Sequence, residues 1–107
     1  MCVYKIEEIA ERVRPIAERY GVGKIYLFGS YARGEATEES DIDLLVEAES
    51  IKSLWTFGGL WGDLEDALDK KLDLVTEEAL YHERQNDPLR IKFRNAVDKD
   101  RRLIYDK

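Results

Sequence analysis

The residues best suited to chemistry lie in one short stretch, Phe28-Gly-Ser-Tyr-Ala-Arg-Gly-Glu-Ala-Thr-Glu-Glu-Ser-Asp-Ile-Asp-Leu-Leu-Val46. It joins a Gly29-Ser30 turn to two aspartates, Asp41 and Asp43, set two apart at the head of an apolar run. Alternate side chains of a strand share a face, so Asp41, Asp43 and Leu45 point one way and Ile42, Leu44 and Val46 the other. At a rise of about 3.3 Å per residue the two aspartate Cβ atoms sit roughly 6.5–7 Å apart. From that span both carboxylates can lean toward one cation. A carboxylate inside such an apolar run is costly unless it is paired or bound to metal. Leu72-Asp-Leu-Val75 repeats the arrangement, and if its strand neighbours the first, Asp73 converges on Asp41 and Asp43. Magnesium suits this set, because it takes oxygen ligands and completes its octahedron with water and phosphate oxygens.

Gly29-Ser30 supplies the complementary half. A glycine at a strand-to-helix turn lets the backbone approach a ligand closely. The helix that follows offers free N–H groups to an anion, and the Ser30 hydroxyl adds a donor. The same pair also reads as an ordinary helix start, since serine is a favoured N-cap. No Gly-Lys-Ser/Thr follows, so this is not a Walker loop. Arg33, one turn further on, reaches either a phosphate or a surface carboxylate, and Tyr31 either contacts a nucleotide or packs. Together the stretch describes a device for handling a nucleoside triphosphate.

Several elements must hold these residues in place. The apolar spacing of Val3, Ile6, Ala10, Val13, Ala17 and Tyr20 predicts an amphipathic helix over 3–20, which Pro15 should kink or restart and Gly21 should end. Residues 23–28 read as a buried strand, 30–35 as a short helix closed by Gly34, and 41–47 as the aspartate strand. A longer helix is expected over 52–69, where Gly58, Gly59 and Gly62 signal close backbone approach or a break. Leu72–Thr76 reads as a third strand. A helix near 77–84, a turn through Asn86-Asp87-Pro88, a helix over 88–98 and an extended Leu103–Tyr105 tail complete the chain.

At 107 residues and 44% hydrophobic composition, the chain suits one domain, 1–107, with a single core. No apolar run approaches the roughly 18 residues of a membrane span, and Glu7 and Glu8 stand where a signal peptide would be apolar. The lone Cys2 agrees with a reducing compartment, so a cytoplasmic location is expected. A net charge of −6 argues against non-specific binding of nucleic acid. The basic residues between Arg90 and Arg102 read as a solvated face, and the sole histidine, His82, as a surface side chain. Trp55, Phe57 and Trp61 belong either to the core or to a partner-facing patch.

The combined pattern resembles the polymerase beta-type nucleotidyltransferases. The residues that carry it are Leu27-Phe-Gly-Ser-Tyr-Ala-Arg-Gly-Glu-Ala36, Ser40-Asp-Ile-Asp-Leu-Leu-Val46 and Asp73 in a later strand. The closest likeness is to the smallest branch, the minimal nucleotidyltransferases, and it runs from the first helix through Leu72-Asp-Leu-Val-Thr76. The resemblance implies an α/β (α+β) fold, with a small mixed sheet of three or four strands flanked by helices. It implies transfer of AMP from ATP with two Mg²⁺ ions and release of pyrophosphate. Asp41, Asp43 and Asp73 would be the catalytic metal ligands, and Gly29 and Ser30 would hold the β- and γ-phosphates. It also implies a partner, a HEPN-family RNase toxin, which such antitoxins silence by modifying a tyrosine. A chain this short has no extra domain to hold a small acceptor, which points the same way and allows an oligomer. Two alternatives remain in the sequence: an antitoxin that blocks its partner sterically, and transfer to a small molecule or an RNA end.

Overall fold

The computed structural model describes residues 3–81 and 87–107. Nine elements follow in chain order: α1 (Ile6–Tyr20), β1 (Lys24–Phe28), α2 (Ser30–Arg33), β2 (Ile42–Glu47), α3 (Leu54–Leu68), β3 (Leu72–Thr76), α4 (Glu77–Tyr81), α5 (Pro88–Asp100) and β4 (Arg102–Asp106). The strands form one mixed sheet in the order β3-β2-β1-β4. β1 runs antiparallel to both β2 and β4, while β2 and β3 are parallel. A parallel pair needs a crossover, and α3 provides it. The α/β class and the four-stranded mixed sheet agree with the expectation from sequence.

The alternation expected of β2 is observed. Ile42, Leu44 and Val46 are fully buried on the face covered by α1 and α3, beside Ile25 and Leu27 of β1 and Leu72 and Leu74 of β3. Ile9, Val13 and Ala17 of α1 and Leu60, Leu64 and Leu68 of α3 close this core from above. Each Val, Leu or Ile side chain among them contributes roughly 1.5–3 kcal/mol when fully buried. The opposite face carries a smaller cluster, Phe28, Leu45 and Val97, edged by Tyr26, Val75, Leu80 and Tyr81.

Four local readings change. Helix α1 starts at Ile6 rather than residue 3. Tyr4 instead donates its hydroxyl to the Leu68 carbonyl at 2.6 Å, and the Lys5 backbone N–H donates to the Glu8 carboxylate at 2.8 Å. Pro15 does not restart the helix, which runs through it; Pro15 and Glu11 are exposed, so water can serve the carbonyl that proline leaves unpaired. Helix α3 is likewise unbroken, and of its glycines only Gly59 meets close packing: a Cβ there would lie 3.0 Å from the Tyr20 hydroxyl oxygen. The expected C-terminal tail is an edge strand, β4, paired with β1.

Asp87 caps α5 by accepting the Leu89 N–H at 3.0 Å, and Pro88 takes the first helical position, where no donor is needed. The expected end of α4 beyond Tyr81, together with His82 and Asn86, lies outside the described residues.

Candidate active site

The sheet register places Phe28 of β1 opposite Asp43 of β2, and Asp43 opposite Asp73 of β3. These three side chains therefore form one row on the face away from α1 and α3. The parallel β2–β3 pair fixes the row, and the Ile42 N–H donating to the Lys71 carbonyl at 3.1 Å extends the ladder to its start. Asp41 stands one residue before β2, partly exposed.

Gly29 follows Phe28 with φ 78° and ψ −154°, a conformation that only glycine adopts without strain. It also borders the row directly: a Cβ at Gly29 would overlap the Asp43 carboxylate and lie 3.1 Å from its carboxyl carbon. Gly29 is the N-cap of α2, so Ser30 occupies the first helical position rather than the cap. Gly34, in the left-handed region, ends the helix after Arg33.

Burial pushes the Asp43 carboxyl up to about 6, helped by the negative charge of Asp73, a hydrogen bond with it, and the charge of Asp41; the Arg33 guanidinium works in the opposite direction. A negative charge beside a carboxyl group disfavours its ionised form. Asp43 and Asp73 thus form a site with excess negative charge. Among the described residues no three His, Cys, Asp or Glu side chains are grouped so as to hold a metal ion. Asp43 and Asp73 abut, and Asp41 acts on Asp43 through its charge.

Gly29, Ser30, Arg33, Asp43 and Asp73 line one cleft of about 490 Å³. Helix α5 forms its other wall through Phe93, Val97 and Asp100, at positions i, i+4 and i+7 of one helical face. The Phe93 ring meets Phe28 edge-on with centroids 6.1 Å apart, and Val97 is buried. Arg33 donates to Glu35 at 2.9 Å and to Asp100 at 2.7 Å. Helix α5 lies outside the sequence motifs, yet it lines the site. Its spacing of Phe93, Val97 and Asp100 was available as a signal, but the surrounding basic residues disguised the helix as a solvated face.

The remaining candidates separate. Tyr31 is buried in the main core, so it packs, and its hydroxyl finds no partner among the described residues. Trp61 donates its indole N–H to the Leu72 carbonyl at 3.2 Å and stacks edge-on with Phe57. Trp55 and Leu54 are 89% and 88% exposed. No described helix is long and apolar enough to cross a membrane.

Residues 6–102 match the model of the nucleotidyltransferase domain. The chain belongs to that family. It is 43% identical over 84 residues to the protein adenylyltransferase MntA of Thermococcus cleftensis, covering 75% of this chain and 85% of the relative. A Methanocaldococcus jannaschii protein, provisionally named a protein adenylyltransferase, is 42% identical over 76 residues, covering 71% of this chain and 82% of the relative. Among solved structures, a toxin–antitoxin with AMP-PNP superposes with a TM-score of 0.65 at 25% identity, over 92% of this chain and 73% of that one. The family's enzymatic class, nucleotidyl transfer, is that expected from the motif.

Proposed function

We propose that this chain is a magnesium-dependent protein adenylyltransferase that transfers AMP from ATP to a tyrosine of a HEPN RNase toxin, and so acts as that toxin's antitoxin. One observation carries the reading: Asp43 and Asp73 abut at the floor of a cleft that Gly29 and Ser30 also line. The match to nucleotidyltransferases, the similarity to a named protein adenylyltransferase and the likeness to a toxin–antitoxin with AMP-PNP support it. A cytoplasmic site of action and a single catalytic domain over 1–107 belong to the same proposal.

The donor set suits magnesium. Its ligands are all carboxylate oxygens, and burial first, then the charge of Asp73, raises the Asp43 pKa, a cost that a divalent cation would offset. Asp41 and Asp43 would hold one ion, and Asp73 would join them at a second. Bound there, magnesium supplies charge neutralisation at the phosphates and acidifies the acceptor hydroxyl. Gly29 leaves room for the β- and γ-phosphates, Ser30 donates its hydroxyl to them, and Arg33 binds a phosphate oxygen. Phe93 and Val97 line the α5 side of the cleft with apolar surface.

The test uses purified protein, Mg²⁺, α-labelled ATP and the HEPN protein encoded beside it. Label should pass to a tyrosine of the partner, and the Asp41→Asn/Asp43→Asn double variant should transfer none. Absence of transfer by the intact protein would overturn the reading. Full protection from the toxin by the double variant would show that neutralisation is steric.

A further inference from the structure

Arg33 is half-exposed and projects from a helix of four residues, so nothing in its own element fixes it. Two carboxylates fix it instead. Glu35 takes the Nε–H at 2.9 Å, and Asp100, at the far end of α5, takes an Nη1–H at 2.7 Å across 67 residues of sequence. The two partners differ: the Glu35 side chain is 66% exposed, the Asp100 side chain 13%. Asp100 is also the better anchored. Val97 is buried one turn earlier, Phe93 rests on Phe28, and the neighbouring Arg101 stacks over the Tyr26 ring at 4.7 Å.

We propose that Asp100 is a positioning residue for phosphate recognition: it holds the Arg33 guanidinium in the cleft with its unused donors ready for the triphosphate. The inference rests on the nucleotidyl-transfer reading and deepens it. A guanidinium has five N–H donors in a fixed planar fork, and among the described residues two of them are taken. Three remain in a side chain that lines the same cleft as Asp43, Asp73 and Ser30. A flexible arginine must be ordered when it binds, at an entropic cost that lowers affinity. Asp100 meets that cost in the folded chain. The pair contributes little to stability, because α5 is already anchored by Phe93 and Val97 and the Arg33 end of the pair is half-exposed to solvent.

The test measures binding of magnesium and AMP-PNP by calorimetry, without any acceptor, for the wild type, Asp100→Asn, Arg33→Ala and the double variant. Asp100→Asn should weaken binding about tenfold, the scale of one charge-assisted hydrogen bond, with the melting temperature unchanged. Asp100→Glu, which keeps the carboxylate, should retain more affinity than Asp100→Asn. In the Arg33→Ala background, Asp100→Asn should cause no further loss, because Asp100 acts through Arg33. Wild-type affinity or tighter binding in Asp100→Asn overturns the inference, as do losses that multiply in the double variant. Failure of the wild type to bind the nucleotide overturns the transfer reading and the inference with it.

Discussion

The two faces of the sheet are built from the same strands for opposite ends. Under α1 and α3, every inward position of β2 is apolar and fully buried, and no buried polar or charged residue is found among the described residues. On the other face only Phe28, Leu45 and Val97 form a buried cluster, and the same row of the sheet carries Asp43 and Asp73. One face therefore concentrates the stability, which allows the other to hold carboxylates in a strained electrostatic state. The contrast passes through single residues, since Asp43 stands between Ile42 and Leu44 and faces the opposite side of the strand from them.

Substitutions that act on one face alone test this division. The largest effect is expected for Asp43→Asn, which should lower adenylyl transfer at least about 100-fold, since each tenfold in rate corresponds to about 1.4 kcal/mol and charge balance at the phosphates is worth several. Its melting temperature at neutral pH should match or exceed the wild type; a clear fall would show that the carboxylate pair holds the fold together. Leu44→Ala should do the reverse. Denaturant unfolding should show a loss of about 2–5 kcal/mol, while the chain that remains folded transfers AMP at the normal rate.

Gly29→Ala touches both faces of the argument. It should cost about 1–3 kcal/mol from its backbone conformation and should impair transfer, because the new Cβ occupies the place of the Asp43 carboxylate. A variant with wild-type activity would remove Gly29 from the site.

A subtler consequence is pH dependence. Asp43 holds its proton more tightly in the folded chain, at about 6, than in the unfolded chain, near 3.8. Its ionisation therefore opposes folding above pH 6, and the opposition fades as pH falls toward 4. Over that window the wild type should gain stability relative to Asp43→Asn, and added Mg²⁺ should lower the Asp43 titration midpoint measured by NMR. A midpoint near 4 without metal would contradict the burial of Asp43 beside Asp73. The smallest effect is expected for Ser53→Ala at the start of α3, where the hydroxyl accepts the Trp55 and Thr56 N–H groups. It should cost about 1 kcal/mol and leave transfer unchanged.

Much of this was legible in the residues. Periodicity located the helices and strands, because burial imposes a repeat of about 3.6 on a helix and 2 on a strand. The alternation in Ile42-Asp43-Leu44 assigned each side chain of β2 to its face. The start of α1 escapes the same logic, because the spacing of Val3 fits a helix while the adjoining Tyr4 donates its hydroxyl to the Leu68 carbonyl. Pro15 sits within an unbroken helix for a related reason: a missing donor matters less where water can reach the carbonyl.

The chain alone determined the motif Gly29-Ser30, Asp41-x-Asp43 and Asp73, and with it the family, because those residue types and spacings are local properties of the strand and turn that carry them. Only the tertiary structure decided that β3 lies parallel beside β2 and brings Asp73 against Asp43. It alone decided that Asp100, from the last helix, holds Arg33. Strand order and helix docking depend on which apolar surfaces meet across the whole chain, and no local pattern contains that information.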